Sequence, residues 1–424
     1  MKNMIIHIEK NGNMIPVGTL TGTDYSDTRF AYLPEYLSSE DAQAISISLP
    51  LKQEAFNESQ TQCFFEGLLP EGFIRRSIAT QMHVDENDYV SILHELGKEC
   101  LGAICILDEH ETTTADYELL SIEQVRSLAA EGASKSIELV TKAHLSLTGA
   151  SGKVGLYYSP TEDRWYLPHG SAPSTHIVKQ SHIRLDNIVA NEQLALLTAS
   201  RCGIEIPHSL IINTANKKDS EVLFATTRYD RMMDADQPHT KHLQKPLRLH
   251  QEDFAQAMGI PSARKYEKTP EGYMNRMFEI LRRYSVNPLK DQLQLWDRIV
   301  FNYLIGNTDA HIKNYSLLYA PNLRGIRLAP AYDIVSTTIY EQSTKEMSFY
   351  IGDEINIDKL SENHFRKAAK DAGLGEKVAI KHLRDMKDCF NQALHDSAIE
   401  LTRSGYKVAL ELEERILAST NYAR

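Results

Sequence analysis

The sequence predicts an α+β protein in which a small mixed N-terminal unit precedes a strand-rich lobe and then a helical lobe. Length is the first observation: 424 residues, 42% hydrophobic and 24% charged, exceed one ordinary core and suit a globular chain of two or three units. Patterning is the second, because short strands dominate from about residue 137 to 230 and helical spacing dominates from residue 251 onward. We therefore expect units over residues 1–112, 118–245 and 246–424.

The first unit is expected to open with a β-hairpin over residues 3–22. Met4, Ile6 and Ile8 alternate onto one face, and Asn11-Gly12 is typical of a tight turn. The remaining predicted elements are strands near 28–33, 44–49 and 101–107, and helices over 62–82, interrupted around 70–72, and over 87–96. Nothing in this unit resembles a catalytic site.

Each of the two following lobes contains one clearly predicted helix. In the strand-rich lobe this helix covers residues 187–202 and is followed by Gly203, a common residue at a helix C-terminus. The strands around it are predicted at 137–140, 145–147, 153–158, 164–167, 175–178 and 222–227. In the helical lobe the clear helix covers 288–306, where Leu289, Leu293, Trp296, Val300 and Leu304 recur at helical spacing.

Composition limits the possible classes of function. The longest apolar runs are far shorter than the roughly 20 residues that span a bilayer, and the N-terminus lacks the layout of a signal peptide. Five cysteines, none at Cys-x-x-Cys spacing, indicate reduced structural thiols. The formal net charge of -11 argues against a chain that coats nucleic acid. We expect a cytoplasmic protein without membrane contact, which reaches DNA only through a partner.

The most informative segment is the polar loop that follows the 288–306 helix. It contains Asp309 and, five residues later, Asn314. Phosphoryl transfer needs a carboxylate that orients the attacking hydroxyl or accepts its proton, with an oxygen ligand for magnesium nearby, and protein kinases use Asp-x-x-x-x-Asn for this purpose. Lys313 is placed to neutralise charge on the transferring group. Because the spacing is common, a loop that is merely polar is an equal alternative on this segment alone.

A second carboxylate, Asp333, favours the interpretation as a phosphoryl-transfer site. It is separated from Asn314 by a predicted hairpin over 315–328, the arrangement in which kinases place their second metal ligand. Magnesium takes oxygen ligands and keeps several waters, so Asn314, Asp333 and two phosphates would suffice. The alternative is that Asp333 is only a turn residue after Pro330.

Two upstream features are candidates for phosphate binding. Residues 146–153 form a small-residue loop whose N–H groups could face phosphate oxygens, although Leu147 and Val154 break the Walker A pattern. Lys179 ends an apolar strand and Glu192 lies on the next helix, where an ion pair between them would match kinases. The alternatives are a tight hairpin, a solvated lysine and an exposed carboxylate.

On these residues, the chain resembles the HipA family of kinase toxins along nearly its whole length. The matching segments keep the family's order, and they are 64–72, 174–179, 248–254, 302–314 and 329–333. The resemblance implies a kinase-like two-lobed fold with ATP and magnesium between the lobes. The roles it implies are Asp309 as catalytic base, Asn314 and Asp333 as magnesium ligands, Lys179 as the ATP-phosphate lysine and Ser146 as the autophosphorylated serine.

The resemblance also implies nucleotide contacts and partners. The residues expected to bind ATP are Thr148, Gly149, Ala150, Ser151, Gly152, Lys153, Lys179, Thr227, Arg228, Tyr229, His311 and Lys313. This chain departs from the family at two places: Ser151-Gly152 replaces a Gln-x pair, and Thr227 stands where a glutamate is often found. Family members phosphorylate an aminoacyl-tRNA synthetase and are restrained by a small helix-turn-helix antitoxin of the HipB type, which also represses the operon.

Two rival functions stay open on the sequence. A small-molecule kinase of the aminoglycoside or lipid type shares the Asp/Asn/Asp layout but phosphorylates a non-protein acceptor. A catalytically silent kinase-like module would act only as a co-repressor bound to an antitoxin, and the presence of Asp309, Asn314, Asp333 and Lys179 counts against it.

Overall fold

The computed structural model describes residues 4–108, 114–125, 153–180, 185–212, 222–234 and 239–420, which form two compact units. The first unit comprises Met1–His182, Ile212–Ser262 and Leu318–Gly325, and the second comprises Ile183–Ile211, Ala263–Leu317 and Ile326–Arg424. Helices and sheets are both abundant, which confirms the predicted α+β class. The boundaries expected near residues 112 and 245 stay predictions.

The helices lie in both units and are longest toward the end of the chain. In chain order they are α1 (Pro34–Leu37), α2 (Glu58–Phe65), α3 (Gly72–Met82), α4 (Tyr89–Leu96), α5 (Ile188–Arg201), α6 (Phe254–Met258), α7 (Tyr273–Tyr284), α8 (Pro288–Ile305), α9 (Glu362–Asp371), α10 (Glu376–Arg403) and α11 (Val408–Ser419). Across the described ranges, none of these helices is long and apolar enough to cross a membrane.

Most strands lie in the first unit. In chain order they are β1 (Met4–Lys10), β2 (Asn13–Thr21), β3 (Arg29–Tyr32), β4 (Ile104–Asp108), β5 (Ala115–Leu120), β6 (Lys153–Ser159), β7 (Arg164–Gly170), β8 (His176–Gln180), β9 (Ser209–Ile212), β10 (Leu223–Thr227), β11 (Arg231–Met232), β12 (His239–Thr240), β13 (Leu243–Gln244), β14 (Leu247–Arg248), β15 (Gln251–Asp253), β16 (Ser316–Tyr319), β17 (Ile326–Leu328), β18 (Glu346–Ile351) and β19 (Glu354–Asn356). The strands predicted at 137–140 and 145–147 lie outside the described residues.

The first sheet of the first unit has the strand order β3-β2-β1-β4 and begins with the predicted hairpin. Asn11 and Gly12 have φ values of 48° and 80°, the left-handed pair that a tight hairpin turn requires. The strand predicted at 44–49 is wrong, since only an isolated bridge joins Ser46 and Leu49. The Ser46 hydroxyl accepts a hydrogen bond from the Ser48 amide at 3.1 Å, and such local bonds compete with strand pairing.

The second sheet of the first unit contains the strands that carry the upstream candidate residues. Strands β5, β7, β6, β8 and β10 are neighbours in that order and pair antiparallel. A hydrophobic cluster packs against β5, β6 and β7, and its members are Tyr117, Tyr157, Tyr166, Ala172 and Leu243. The register of the ladders places Lys179 of β8 opposite Lys153 of β6 and Phe224 of β10.

Helix α8 is the central element of the second unit, and it determines where the catalytic-loop candidate begins. The Trp296 side chain is fully buried and its indole N–H donates to the Ala379 carbonyl of α10 at 2.9 Å. Helix α8 ends at Gly306, whose φ is 76°. A Cβ atom there would lie 2.1 Å from Oγ1 of Thr338, so both backbone angle and space require glycine.

Candidate functional site

A chain of buried amide hydrogen bonds shapes the loop after α8. The Asn302 side-chain amide donates to the Tyr315 hydroxyl at 2.9 Å, and that of Asn307 donates to Oδ1 of Asn302 at 2.9 Å. Oδ1 of Asn307 in turn accepts the backbone N–H of Asp309 at 3.1 Å. Because both asparagine side chains are buried, the backbone at Asp309 is fixed while its carboxylate remains exposed.

Asn314 closes this loop onto Asp309. The backbone N–H of His311 and the side-chain amide of Asn314 both donate to the Asp309 carbonyl, at 2.8 and 2.9 Å. The amide nitrogen of Asn314 is thus used within the loop, and its Oδ1 is the atom suited to a cation. The interval of five residues therefore corresponds to a physical contact between the two predicted site residues.

Asp333 lies on a second segment that the Tyr332 hydroxyl joins to the first. This hydroxyl donates to the carbonyl of Lys313 at 2.9 Å and lies 2.6 Å from Oγ of Ser316. The backbone of Asp333 has a φ of 51°, in the left-handed region that residues other than glycine rarely adopt. Strained backbone of this kind concentrates at functional sites.

Asn314 and Asp333 line one small pocket, together with Asn302 and Asn307. An amide oxygen and a carboxylate are the oxygen ligands that magnesium takes, and it needs few from the protein when phosphates and waters supply the others. The two predicted metal ligands therefore fit a magnesium ion held jointly with a phosphate-bearing ligand.

Arg298, which sequence reasoning did not single out, lines the same pocket. The residue is 2% exposed, and its Nε and Nη2 have no hydrogen-bond partner within the described part of the chain. Burial lowers the pKa of Arg298 to about 10, so the guanidinium stays charged at neutral pH. A fixed positive charge on the wall of the pocket suits an anionic ligand. In the sequence, Arg298 is one more residue of the α8 helical pattern, and no motif distinguishes it from its neighbours.

The hydroxyl of Tyr266 donates a hydrogen bond to Oδ1 of Asp309. Its ring also meets the His311 imidazole edge to face, with ring centroids 5.2 Å apart. His311 and Lys313, both predicted nucleotide contacts, are each 7% exposed. Tyr266 precedes Asp309 by 43 residues, and no spacing or motif in the sequence connects the two.

In the first unit, the structure brings together two lysines predicted to bind ATP phosphates. Lys153 of β6 and Lys179 of β8 are direct cross-strand partners, so their side chains share one face of the sheet. Lys179 is 8% exposed, and its Nζ lies 5.5 Å from the ring centroid of Phe224 on β10. The ATP-phosphate role of both lysines stays a prediction.

Three residues at the end of β10 are predicted to contact the nucleotide, and their surroundings differ. Thr227 places Oγ1 3.3 Å from Nε2 of His176, and the Tyr229 hydroxyl donates to Gln251. The Arg228 side chain is fully buried and donates to Glu99 and Asp230. Its guanidinium is thus committed to an internal ion cluster, and the nucleotide contacts expected of all three residues stay predictions.

That ion cluster is centred on Glu99 in the first unit. Glu99 accepts hydrogen bonds from Arg228 at 3.1 Å, Arg231 at 2.9 Å and Arg248 at 2.7 Å. Burial alone would favour the neutral acid, but the guanidiniums hold the pKa of Glu99 well below its usual range. Arg248 also meets Glu9 at 3.2 Å, so the cluster joins β1 to β14.

Some of the predicted site residues lie outside the described residues. They are Ser146, Thr148, Gly149, Ala150, Ser151 and Gly152. Lys179 belongs to the first unit and Glu192 to the second, so their predicted ion pair stays a prediction.

The sequence of this chain matches known proteins over most of its length. Residues 145–394 match the model of the HipA-like C-terminal domain, and residues 11–107 match that of the HipA N-terminal domain. The chain is 31% identical over 386 residues to Y4mE of Sinorhizobium fredii, covering 89% of this chain and 88% of that protein. It is 26% identical over 377 residues to the serine/threonine-protein kinase toxin HipA of Shewanella oneidensis, covering 84% and 81%.

A solved structure shares the fold. The HipA chain in a complex of Shewanella oneidensis HipA, HipB and operator DNA superposes with a TM-score of 0.77 at 22% identity, over 98% of this chain and 96% of that chain. The kinase-like α+β fold expected from the sequence is thereby confirmed. With its two domain models matched over most of its length, the chain belongs to the HipA family.

Proposed function

We propose that this chain is an ATP- and magnesium-dependent serine/threonine protein kinase and the toxin of a toxin–antitoxin pair. One observation carries the proposal: Asn314 hydrogen-bonds to the carbonyl of Asp309 and lines the same pocket as Asp333. A carboxylate facing solvent beside a two-oxygen metal pocket is the arrangement that phosphoryl transfer to a hydroxyl requires.

In the proposed reaction, Asp309 orients the acceptor hydroxyl. The hydroxyl oxygen bonds to the γ-phosphorus of ATP, the bond from that phosphorus to the bridging oxygen of ADP breaks, and the hydroxyl proton passes to the Asp309 carboxylate. The buried asparagines of the loop keep the carboxylate in place, so little reorganisation is needed.

Asn314 and Asp333 would hold the metal, and Lys153, Lys179 and Arg298 would face the phosphates. Magnesium supplies neutralisation of phosphate charge when it is bound. The lysines share one face of a sheet in the first unit, and Arg298 lines the pocket in the second. Each contributes positive charge that phosphates can use, and none of these three residues needs to move a proton.

The acceptor and the partners are proposed from the relatives. A protein of this family from Shewanella oneidensis is named a serine/threonine-protein kinase toxin, and a solved HipA complex contains HipB and operator DNA. We therefore expect a protein acceptor, with an aminoacyl-tRNA synthetase as the proposed substrate, and a small helix-turn-helix antitoxin that makes the DNA contacts. The proposed place of action is the cytoplasm.

Autophosphorylation of Ser146 is the proposed form of self-inhibition. A phosphate there would add about -1.5 to -2 charges in the loop expected to face the ATP phosphates, and like charges repel. Mass spectrometry of the purified protein should find one dominant phosphosite at Ser146, with Thr148 and Ser151 as the alternatives in the same loop, and that form should bind ATP poorly. Phosphate confined to residues outside 146–151 would contradict the proposal.

Two variants of the site test the proposed function, because one should lose phosphoryl transfer and the other should lose ATP binding. Asp309→Asn should abolish transfer and leave magnesium-ATP binding nearly intact, because this carboxylate acts on the acceptor. Asp333→Asn should weaken magnesium-dependent ATP binding itself, because a metal ligand is lost. Radiolabelled ATP with cell lysate measures transfer, and calorimetry with and without magnesium measures binding.

The matched control for both is Asp388→Asn, which changes an exposed carboxylate on α10. It should leave transfer and binding unchanged. Substantial transfer by Asp309→Asn would remove this residue from the catalytic role. A labelled metabolite in place of a labelled protein would favour the small-molecule kinase, and failure of the unmodified chain to bind magnesium-ATP would favour the silent co-repressor.

A further inference from the structure

The side chain of Asp309 has a hydrogen-bond donor that lies outside its own loop. The Tyr266 hydroxyl donates to Oδ1 of Asp309, while the Asn307 and Asn314 side chains bond to the backbone of Asp309. The loop bonds thus fix where the residue lies. The tyrosine bond fixes which way the carboxylate faces, because a carboxylate otherwise rotates broadly about its last torsion.

Tyr266 is itself held firmly by its neighbour Glu267, which is 2% exposed. The Glu267 carboxylate accepts three backbone N–H groups at 2.7, 3.1 and 2.9 Å. These donors are Glu271, Tyr273 and Tyr350. A buried carboxylate with three backbone donors is an anchor, so the backbone beside Tyr266 has little freedom.

The same segment is tied to the residue directly before Asp309. The Glu267 N–H donates to the Ser348 carbonyl of β18 at 2.8 Å, and the Ser348 hydroxyl donates to the Thr308 carbonyl at 2.8 Å. The backbone next to Tyr266 and the backbone next to Asp309 are therefore both hydrogen-bonded to the same strand, β18. These backbone bonds favour a fixed position for Tyr266 over a mobile one that would cover and uncover Asp309.

The ring of Tyr266 contacts two neighbouring side chains. It meets the His311 ring edge to face at 83°, and Nζ of Lys265 lies 5.5 Å from its centroid. The residue is still 40% exposed, so it reaches the carboxylate from the solvent side of the loop without burying it.

From these contacts we infer that Tyr266 is a positioning residue for the transfer reaction. Its hydroxyl occupies Oδ1 of Asp309 and thereby turns Oδ2 toward the acceptor hydroxyl. This inference rests on the proposed kinase function, since it assigns the tyrosine a task only if Asp309 receives an acceptor.

The test is Tyr266→Phe, which keeps the ring and its contact with His311 and removes only the hydroxyl. The turnover number of phosphoryl transfer should fall about 10-fold or more, because hydrogen bonds to charged groups are among the stronger ones. The KM for ATP and the magnesium-ATP affinity should not change.

The matched control is Tyr284→Phe, another partly exposed tyrosine of the second unit, whose ring packs on Arg283. It should show the turnover number and the KM for ATP of the unmodified chain. If the unmodified chain transfers phosphate and Tyr266→Phe retains its turnover number within twofold, Tyr266 has no positioning role and the kinase function stands. If the unmodified chain binds magnesium-ATP but phosphorylates nothing, the proposed function fails and the inference with it.

Discussion

The hydroxyl of Tyr332 donates a hydrogen bond to the carbonyl of Lys313 across 2.9 Å, and this contact joins the two segments that carry the proposed metal ligands. Lys313 precedes Asn314, and Tyr332 precedes Asp333. The Tyr332 phenol group therefore helps to set the distance between the two ligands.

Tyr332→Phe should weaken magnesium-ATP binding about fivefold, because a neutral hydrogen bond contributes about 1 kcal/mol. Calorimetric titration measures the change. Tyr406→Phe is the control, since the buried Tyr406 hydroxyl has no hydrogen-bond partner in the described ranges of the same unit. Equal affinities for the two variants would show that the Tyr332 hydroxyl does not set the ligand geometry.

The ion cluster around Glu99 should be far more sensitive to substitution than exposed ion pairs. Glu99→Gln would leave three buried arginines around a neutral side chain, and such a loss typically costs about 3–5 kcal/mol of unfolding free energy. Glu362→Gln, which removes an exposed carboxylate bonded to Arg366 and Arg384, should cost less than about 1 kcal/mol. Chemical denaturation of both variants decides the matter, and similar losses would contradict the prediction.

Two buried groups of the first unit should give stability opposite dependences on pH. Burial raises the pKa of Glu252 to about 7 from an ordinary 4.5, so the folded state binds more protons between these values and stability falls as pH rises. Burial lowers the pKa of His250 to about 4 from an ordinary 6.5, so the unfolded state binds more protons there and stability rises with pH. In the unmodified chain the two effects should largely cancel.

Substituting one of the two residues should reveal the pH dependence of stability that the other contributes. From pH 5 to 6.5, the thermal midpoint of Glu252→Gln should rise relative to that of the unmodified chain, and that of His250→Gln should fall. Exposed Glu414→Gln serves as the control and should follow the unmodified chain. The prediction is wrong if both buried variants change in the same direction.

Cys202 and Cys389 of the second unit should form a disulfide under mild oxidation. Their sulfur atoms are 3.7 Å apart, Cys389 is exposed, and burial raises the pKa of the Cys202 thiol. With oxidised glutathione, the Cys389 thiolate should attack first and release reduced glutathione, and Cys202 should then displace the second glutathione. Intact mass should fall by two hydrogen atoms. A persistent glutathione adduct on Cys389 would show that Cys202 cannot reach it, and Cys389→Ser should show no change.

Local patterns in the sequence predicted the elements that depend on local rules. The hairpin at Asn11-Gly12 and the helix ending at Gly306 follow from left-handed turn residues and helical periodicity, and both are present. Asn314 is close to Asp309 because five residues of loop bring them together. The catalytic and metal-binding roles of these residues stay predictions.

Other features depend on contacts that no spacing records. Tyr266 meets Asp309 across 43 residues, and Arg298 lies on a helix whose pattern gives no reason to separate it from its neighbours. The segment 44–49 alternates like a strand, yet Ser46 accepts the local bond from Ser48 and also bonds to Glu252, 206 residues later. Each depends on tertiary packing, which overrides local preference.

At position 333, the residue that would be most stable in the left-handed backbone conformation is not the residue that the proposed chemistry needs. A residue other than glycine in this conformation costs about 1 kcal/mol or more. Glycine would adopt the same φ without that cost and would delete the carboxylate. If Asp333 is the metal ligand proposed above, glycine at position 333 would keep the architecture and remove that ligand, which is one single-residue route from this chain to a pseudoenzyme.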